Sequence, residues 1–175
     1  MTYDAYVKKL KEIGWLDFVP ADAQTEILSQ LKKNLANKGD QEFAFLALSQ
    51  CGFDAEDVEY EELFEDFAEM SQKRFNPSGL KITTVPGEDD LEDLHLSFRH
   101  GGKQYSCTVP ETGWFDEAVV KTMNEALEDS KVEPRFVVLP AGDQLIGVVF
   151  VPPAVYDKAV RAKLIPRHED LGPPD

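Results

Sequence analysis

Two consecutive glycines, Gly101-Gly102, constrain this chain more than any other feature of its 175 residues. They separate two runs, 94–100 and 103–109, in which apolar and polar residues alternate. That is the pattern of two half-buried strands joined by a two-residue turn, and such a turn needs positive φ. Closing the turn there sets Phe98 opposite Tyr105, Leu96 opposite Cys107 and Leu94 opposite Val109, so each pair on one face is apolar. The other face sets His95, Ser97 and Arg99 against Thr108, Ser106 and Gln104. Side chains alternate with period two, so a one-residue slip would put both sets on the wrong face. These residues dictate an antiparallel hairpin with one dry face and one polar face.

Upstream of residue 80 the apolar period is helical. Tyr6, Leu10 and Ile13 recur before Gly14. After Pro20, Ile27, Leu28, Leu31 and Leu35 share a face that ends at Asn37-Lys38-Gly39. A third helix is expected from Asp40, an N-cap residue type, through Phe43, Leu46 and Leu48 to a stop at Gly52. A fourth is expected from Asp54 to about Phe75, ended by Asn76-Pro77. Downstream come a strand over 80–85, the hairpin, and an amphipathic helix over 114–129 burying Phe115, Val119, Met123, Ala126 and Leu127. Strands over 135–140 and 145–151 turn at Gly142-Asp143. Both are apolar on both faces (Val137 with Val138, Val148 with Val149), so both are expected at central sheet positions. Pro152-Pro153 opens a last helix through Val155, Ala159, Val160 and Leu164. The fold class is α+β: an N-terminal helical region over 1–76, then a β-β-β-α-β-β-α unit over 77–165 whose mainly antiparallel sheet packs on helices. The Asn76-Pro77-Ser78-Gly79 turn divides the two, and 166–175 reads as a flexible tail.

Known chemistries find little support in these residues. Cys51 and Cys107 are far apart and form neither a redox pair nor a zinc knuckle. In the hairpin register Cys107 falls on the apolar face and His95 on the other, which separates a would-be nucleophile from its base. The histidines His95, His100 and His168 have no metal-ligand spacing, so no metal or cofactor is expected. The acidic loop Gly87-Glu88-Asp89-Asp90-Leu91-Glu92-Asp93 lacks the alternating ligands and central glycine of a calcium loop. Gly101-Gly102 joins two strands and opens no helix, so it is a turn and no phosphate cradle. The polar hairpin face (His95, Ser97, Arg99 and Gln104 with Ser106 and Thr108) is a secondary candidate surface. It could serve a small hydrolase or transferase with His95 as base, although its two strands offer no carboxylate.

Charge points elsewhere. The chain holds 33 Asp+Glu and 18 Lys+Arg, a formal net charge of −15. That disfavours nucleic acid and anionic membranes as partners and favours a basic protein. Nine acids and no Lys or Arg fall between Asp54 and Glu69. On a helix, Tyr60, Leu63, Phe64, Phe67 and Met70 gather on one side and Glu61, Glu62, Glu65, Asp66 and Glu69 on the other. The pairs Glu61/Glu65, Glu62/Asp66 and Glu65/Glu69 are like charges at i,i+4, each destabilising by about 0.2–0.5 kcal/mol. A basic partner would relieve that repulsion, so these five residues are the expected partner-binding face and no enzyme activity is expected. The start of the chain lacks a basic, apolar leader and no apolar run reaches bilayer length, so a cytoplasmic protein is expected, although an effector exported by a signal-independent route would share both features.

In size, acidity and lack of catalytic or targeting motifs the chain resembles the bacterial immunity proteins, small acidic α/β proteins that neutralise toxins. The resemblance implies an inhibitor of a basic toxin or effector. The β-β-β-α-β-β-α order also resembles the type III secretion chaperones, and that resemblance implies a homodimer with apolar grooves. The preceding helical region of about 75 residues departs from the chaperone pattern.

Overall fold

The computed structural model describes residues 1–56, 58–87, 92–140 and 144–167. The acidic loop over 88–91, the Gly142-Asp143 turn and the tail from His168 lie outside the described residues. The chain forms two compact units, one made of Met1–Gly52 with Val137–Asp175 and the other of Phe53–Phe136. The Asn76–Gly79 turn lies inside the second unit. The class is α+β, with two three-stranded sheets.

In the first unit α1 (Tyr3–Glu12) buries Tyr6 and Leu10 at i,i+4 and is capped by Thr2, whose hydroxyl accepts from the Ala5 amide. Gly14, at φ 77, turns the chain into a short 3₁₀ segment, Trp15–Phe18. After Pro20, α2 (Ala21–Ala36) buries Ile27 and Leu31. Residues Gln41–Leu48 form a 3₁₀ helix where the spacing predicts an α-helix. The Asp40 side chain makes no cap bond and instead accepts from Asn37 Nδ2 at 2.7 Å. The segment after it is a strand, β1 (Cys51–Asp54), which joins β5 (Arg135–Val138) and β6 (Leu145–Val151) in the order β1-β6-β5. Contacts distant in sequence set this up: the Gln50 amide donates to the Val148 carbonyl at 2.9 Å, and the Val148 amide donates to Ser49 Oγ at 3.1 Å. Of the two strands expected to be central, β6 is, with Val148–Val151 buried, while β5 lies at an edge. Helix α5 (Pro153–Arg161) completes a core of Leu10, Trp15, Leu31, Phe45, Leu48, Val149 and Ala159.

The second unit places the acidic helix against the hairpin sheet. Helix α3 spans Tyr60–Met70, shorter than the expected 54–75. Asp54 belongs to β1, and its carboxylate accepts the Glu56 amide in a turn. At the other end Gln72 and Lys73 have φ of 53° and 60°, and the Lys73 amide bonds back to the Ala68 carbonyl at 2.8 Å. That left-handed cap stops the helix five residues before Phe75. Strands β2 (Ser78–Pro86), β3 (Glu92–His100) and β4 (Lys103–Pro110) form an antiparallel meander, β2-β3-β4. The β3–β4 register pairs Phe98 with Tyr105, Leu96 with Cys107 and Leu94 with Val109, as the alternation requires. The turn glycines have φ of 56° and 82°. Helix α4 runs Ala118–Asp129 and packs on β4. It starts four residues later than the spacing predicts, because residues 114 and 115 are extended: Trp114 bridges Glu56, and the Phe115 amide donates to the Ala55 carbonyl at 2.7 Å. The core is aromatic. Phe75 contacts Phe64, Phe98 and Phe136 at centroid distances of 6.0, 5.7 and 5.5 Å and stacks on His100 at 5.4 Å.

Candidate functional site

On α3 the residues Tyr60, Leu63, Phe64, Phe67, Ala68 and Met70 are buried, while Glu61, Glu62, Glu65, Asp66 and Glu69 are all exposed. The 3.6-residue repeat brings these five carboxylates onto one face of a three-turn helix. Glu61 and Glu62 lie in the first turn, where the helix dipole favours them. Glu65, Asp66 and Glu69 lie beyond that help, and the last turn has no basic residue. The salt bridges among the described residues, Lys8–Glu12 and Lys103–Asp129, do not involve α3. The imbalance extends to the whole unit. Phe53–Phe136 holds 21 Asp+Glu against 8 Lys+Arg, net −13, whereas the rest of the chain holds 12 against 10, net −2.

Two clefts of this unit meet at Val58 and Glu59. One, of about 180 Å³, sets the carboxylate residues Asp54, Glu56, Glu59, Glu62 and Asp66 around Phe53, Val58 and Leu63. The other, of about 380 Å³, is lined by Val58, Glu59, Tyr60, Leu94, Pro110, Glu111, Gly113 and Trp114. Trp114 is 47% exposed. Tyr60 is buried and its hydroxyl has no hydrogen-bond partner; the Asp116 amide approaches it without hydrogen-bond geometry. Burial pushes the Tyr60 phenol above its ordinary pKa, so it is a neutral donor at physiological pH. The residue that sequence reasoning missed here is Trp114, which the helical period placed in the first turn of α4. The only sequence signal for an irregular segment is Pro110-Glu111-Thr112-Gly113 just before it.

The polar hairpin face is present, and β2 extends it by placing Lys81 beside Ser97 and Thr83 beside His95. His95 Nδ1 lies 3.1 Å from Thr108 Oγ1. Arg99 is exposed and pairs in register with Gln104, and Ser97 pairs with Ser106. Because β3 begins at Glu92, this face does carry one carboxylate, Asp93, two residues from His95. Its carboxylate folds over Gly87, where a Cβ would sit 2.6 Å from Oδ1. The described partner of the imidazole is a hydroxyl, so His95, Ser97, Arg99 and Gln104 are side by side without an acid–base pair among them.

Cys107 is half-buried on the opposite face, as the register requires. Burial pushes its thiol up, against a smaller lowering effect of its hydrogen bond with Thr122, which keeps it a thiol rather than a thiolate at neutral pH. Among the described residues no group of three or more His, Cys, Asp or Glu side chains has the geometry to hold a metal ion, and no helix is long and apolar enough to cross a membrane. A cavity of about 700 Å³ in the first unit sets Arg161, Lys163 and Arg167 around Leu35, Phe45 and Leu164. Neither a family model, nor a curated protein, nor a solved structure matches this chain.

Proposed function

We propose that this chain is a non-enzymatic protein that binds a basic protein partner through the acidic face of α3, as an inhibitor or immunity protein occluding a cationic cleft would. The observation that carries the reading is the placement of charge: 13 of the 15 net negative charges fall in Phe53–Phe136, and five exposed carboxylates crowd one helix there. A surface helix ordinarily mixes signs and gains from i,i+4 pairs. Here Glu61/Glu65, Glu62/Asp66 and Glu65/Glu69 repel, by about 0.2–0.5 kcal/mol each. A cationic partner converts that repulsion into attraction. A field of one sign also steers encounter, raising association rates by roughly 10–10³-fold at low ionic strength.

The test is capture from native lysate at low salt by wild type and by the triple variant Glu62→Lys/Glu65→Lys/Asp66→Lys, followed by titration of the purified partner. A basic protein held by wild type, lost by the variant and released by salt is the expected result. Equal retention by both proteins would sink the reading. A stable homodimer that binds apolar peptides and ignores the charge reversal would move the assignment to the secretion-chaperone class.

A further inference from the structure

We infer that the Trp114 cleft seats one arginine side chain of the basic partner; this deepens the preceding proposal and rests on it. Trp114 is the one large aromatic of the second unit's described residues with so much exposed surface. Its backbone is nonetheless held firmly. Gly113 turns at φ 78, the Trp114 amide donates to Thr112 Oγ1 at 3.3 Å, and the residue bridges Glu56 as a strand would. The next residue is tied at 2.7 Å to Ala55, and its ring packs edge-on against Phe53 at 5.0 Å. An indole held out from a fixed backbone has little freedom left to lose on binding, which is the condition under which an aromatic becomes an interface anchor.

The cleft around it has the chemistry of a guanidinium site. Leu94, Pro110 and Tyr60 supply apolar wall for an aliphatic stem. Glu59 and Glu111 supply the carboxylates, and neither is in a salt bridge among the described residues. Trp is the best cation–π ring, and a planar guanidinium stacks on it while its N–H fork serves carboxylates. An ammonium group offers neither the plane nor the fork, so the cleft prefers arginine to lysine.

Anisotropy of a fluorescein-labelled (Gly-Arg)₄ peptide, and of its (Gly-Lys)₄ counterpart, tests this with the full chain. Wild type should bind the arginine peptide about fivefold more tightly than the lysine peptide. Trp114→Ala should weaken the arginine peptide about tenfold, with about threefold for Trp114→Phe, which keeps an aromatic face. Glu61→Lys/Glu65→Lys/Glu69→Lys, which lies outside the cleft, should weaken both peptides and leave the preference for arginine. Equal binding of the two peptides by wild type, or unchanged binding by Trp114→Ala, overturns the cleft assignment. If Trp114→Ala binds normally while the helix reversal abolishes binding, the acidic-face reading survives without the cleft. If wild type binds neither peptide, the cleft assignment falls, and the lysate capture decides the broader reading separately. Trp114 is half exposed, so its variants should keep the wild-type circular dichroism spectrum; a lost spectrum would itself show a structural residue in place of a binding one.

Discussion

Replacing Phe75 with alanine tests the architecture of the acidic unit where it is most concentrated. The ring is fully buried, at 0% exposure, and touches four other rings: Phe64, Phe98, Phe136 and His100. Phe→Ala in a packed core costs about 3–5 kcal/mol, combining the lost transfer energy with the cavity left behind. Two of the ring contacts are T-shaped, and such pairs add about 0.5–1.5 kcal/mol beyond area. The neighbours are rings braced from three different elements and collapse poorly into the space, which favours the upper half of the range. We expect a loss of about 4–5 kcal/mol, and about 1–2 kcal/mol for Phe75→Leu. With an m-value of about 2 kcal/mol/M, the urea midpoint of this unit should fall by about 2 M. The assay is urea unfolding followed by circular dichroism, with Trp15 fluorescence in a Trp114→Phe background as the report of the other unit, where Trp15 is fully buried. A loss under about 1.5 kcal/mol for Phe75→Ala would refute the reasoning, because it would mean that the four rings do not close on one another.

Two further outcomes follow from the same unit. Lys131 ends α4 in the left-handed region at φ 58, with the Val132 amide bonded back to Leu127 at 3.0 Å. Lys131→Gly should therefore stabilise by about 0.5–1 kcal/mol in thermal or urea unfolding, while Lys131→Ala should not; equal effects would remove backbone strain as the cause. At the surface Asp129 accepts from Lys103 Nζ and from the Tyr105 hydroxyl, both at 2.9 Å. The Lys103 bond first, then the Tyr105 bond, holds the Asp129 carboxyl below its ordinary pKa, so its contribution is present above the unfolded carboxylate pKa and fades as pH falls through the lower folded value. The stability difference between wild type and Asp129→Asn should accordingly be seen near neutral pH and vanish once pH has fallen below the depressed folded value. A difference that persists there would assign the effect to something other than the carboxylate charge.

What could be read directly from the residues was whatever local pattern decides. The Gly101-Gly102 turn and the alternation around it determine the whole β3–β4 ladder, because only one register puts Leu96 and Phe98 in the core. The buried face of α3 follows likewise from its 3.6-residue repeat. The strand at 51–54 and the late start of α4 share a cause, which is a long-range contact overriding a local preference. Cys51–Asp54 is a strand because Ser49 and Gln50 bond to residues nearly a hundred positions away, and nothing within 41–54 announces that. The C-terminal ends of α3 and α5 were misplaced for a different, local reason, whereas α4 ends at Asp129 as expected. Helices α3, α4 and α5 stop at Gln72, Lys131 and Lys163 in the left-handed region where glycine is the usual signal. Each stop is made by a backbone bond to the helix's own last turn, reached by a residue type that ordinarily announces more helix.

The candidate site divides along the same line. The five carboxylates of α3 were legible because their exposure depends only on which side of one helix they occupy. Trp114 was not, because its exposure depends on residues 53–56 lying alongside 114–115, a pairing across some 60 positions. That pairing also brings Glu59 and Glu111 to one cleft, although neither helical nor strand period relates them. Charge excess is thus a property that composition displays, whereas the anchor that would turn a charged surface into a selective one arises only when the chain closes. If arginine selectivity depends on Trp114 and overall affinity on α3, the two variants should separate them: the α3 reversal should lower affinity and preserve preference, and Trp114→Ala should erase preference at a smaller loss of affinity.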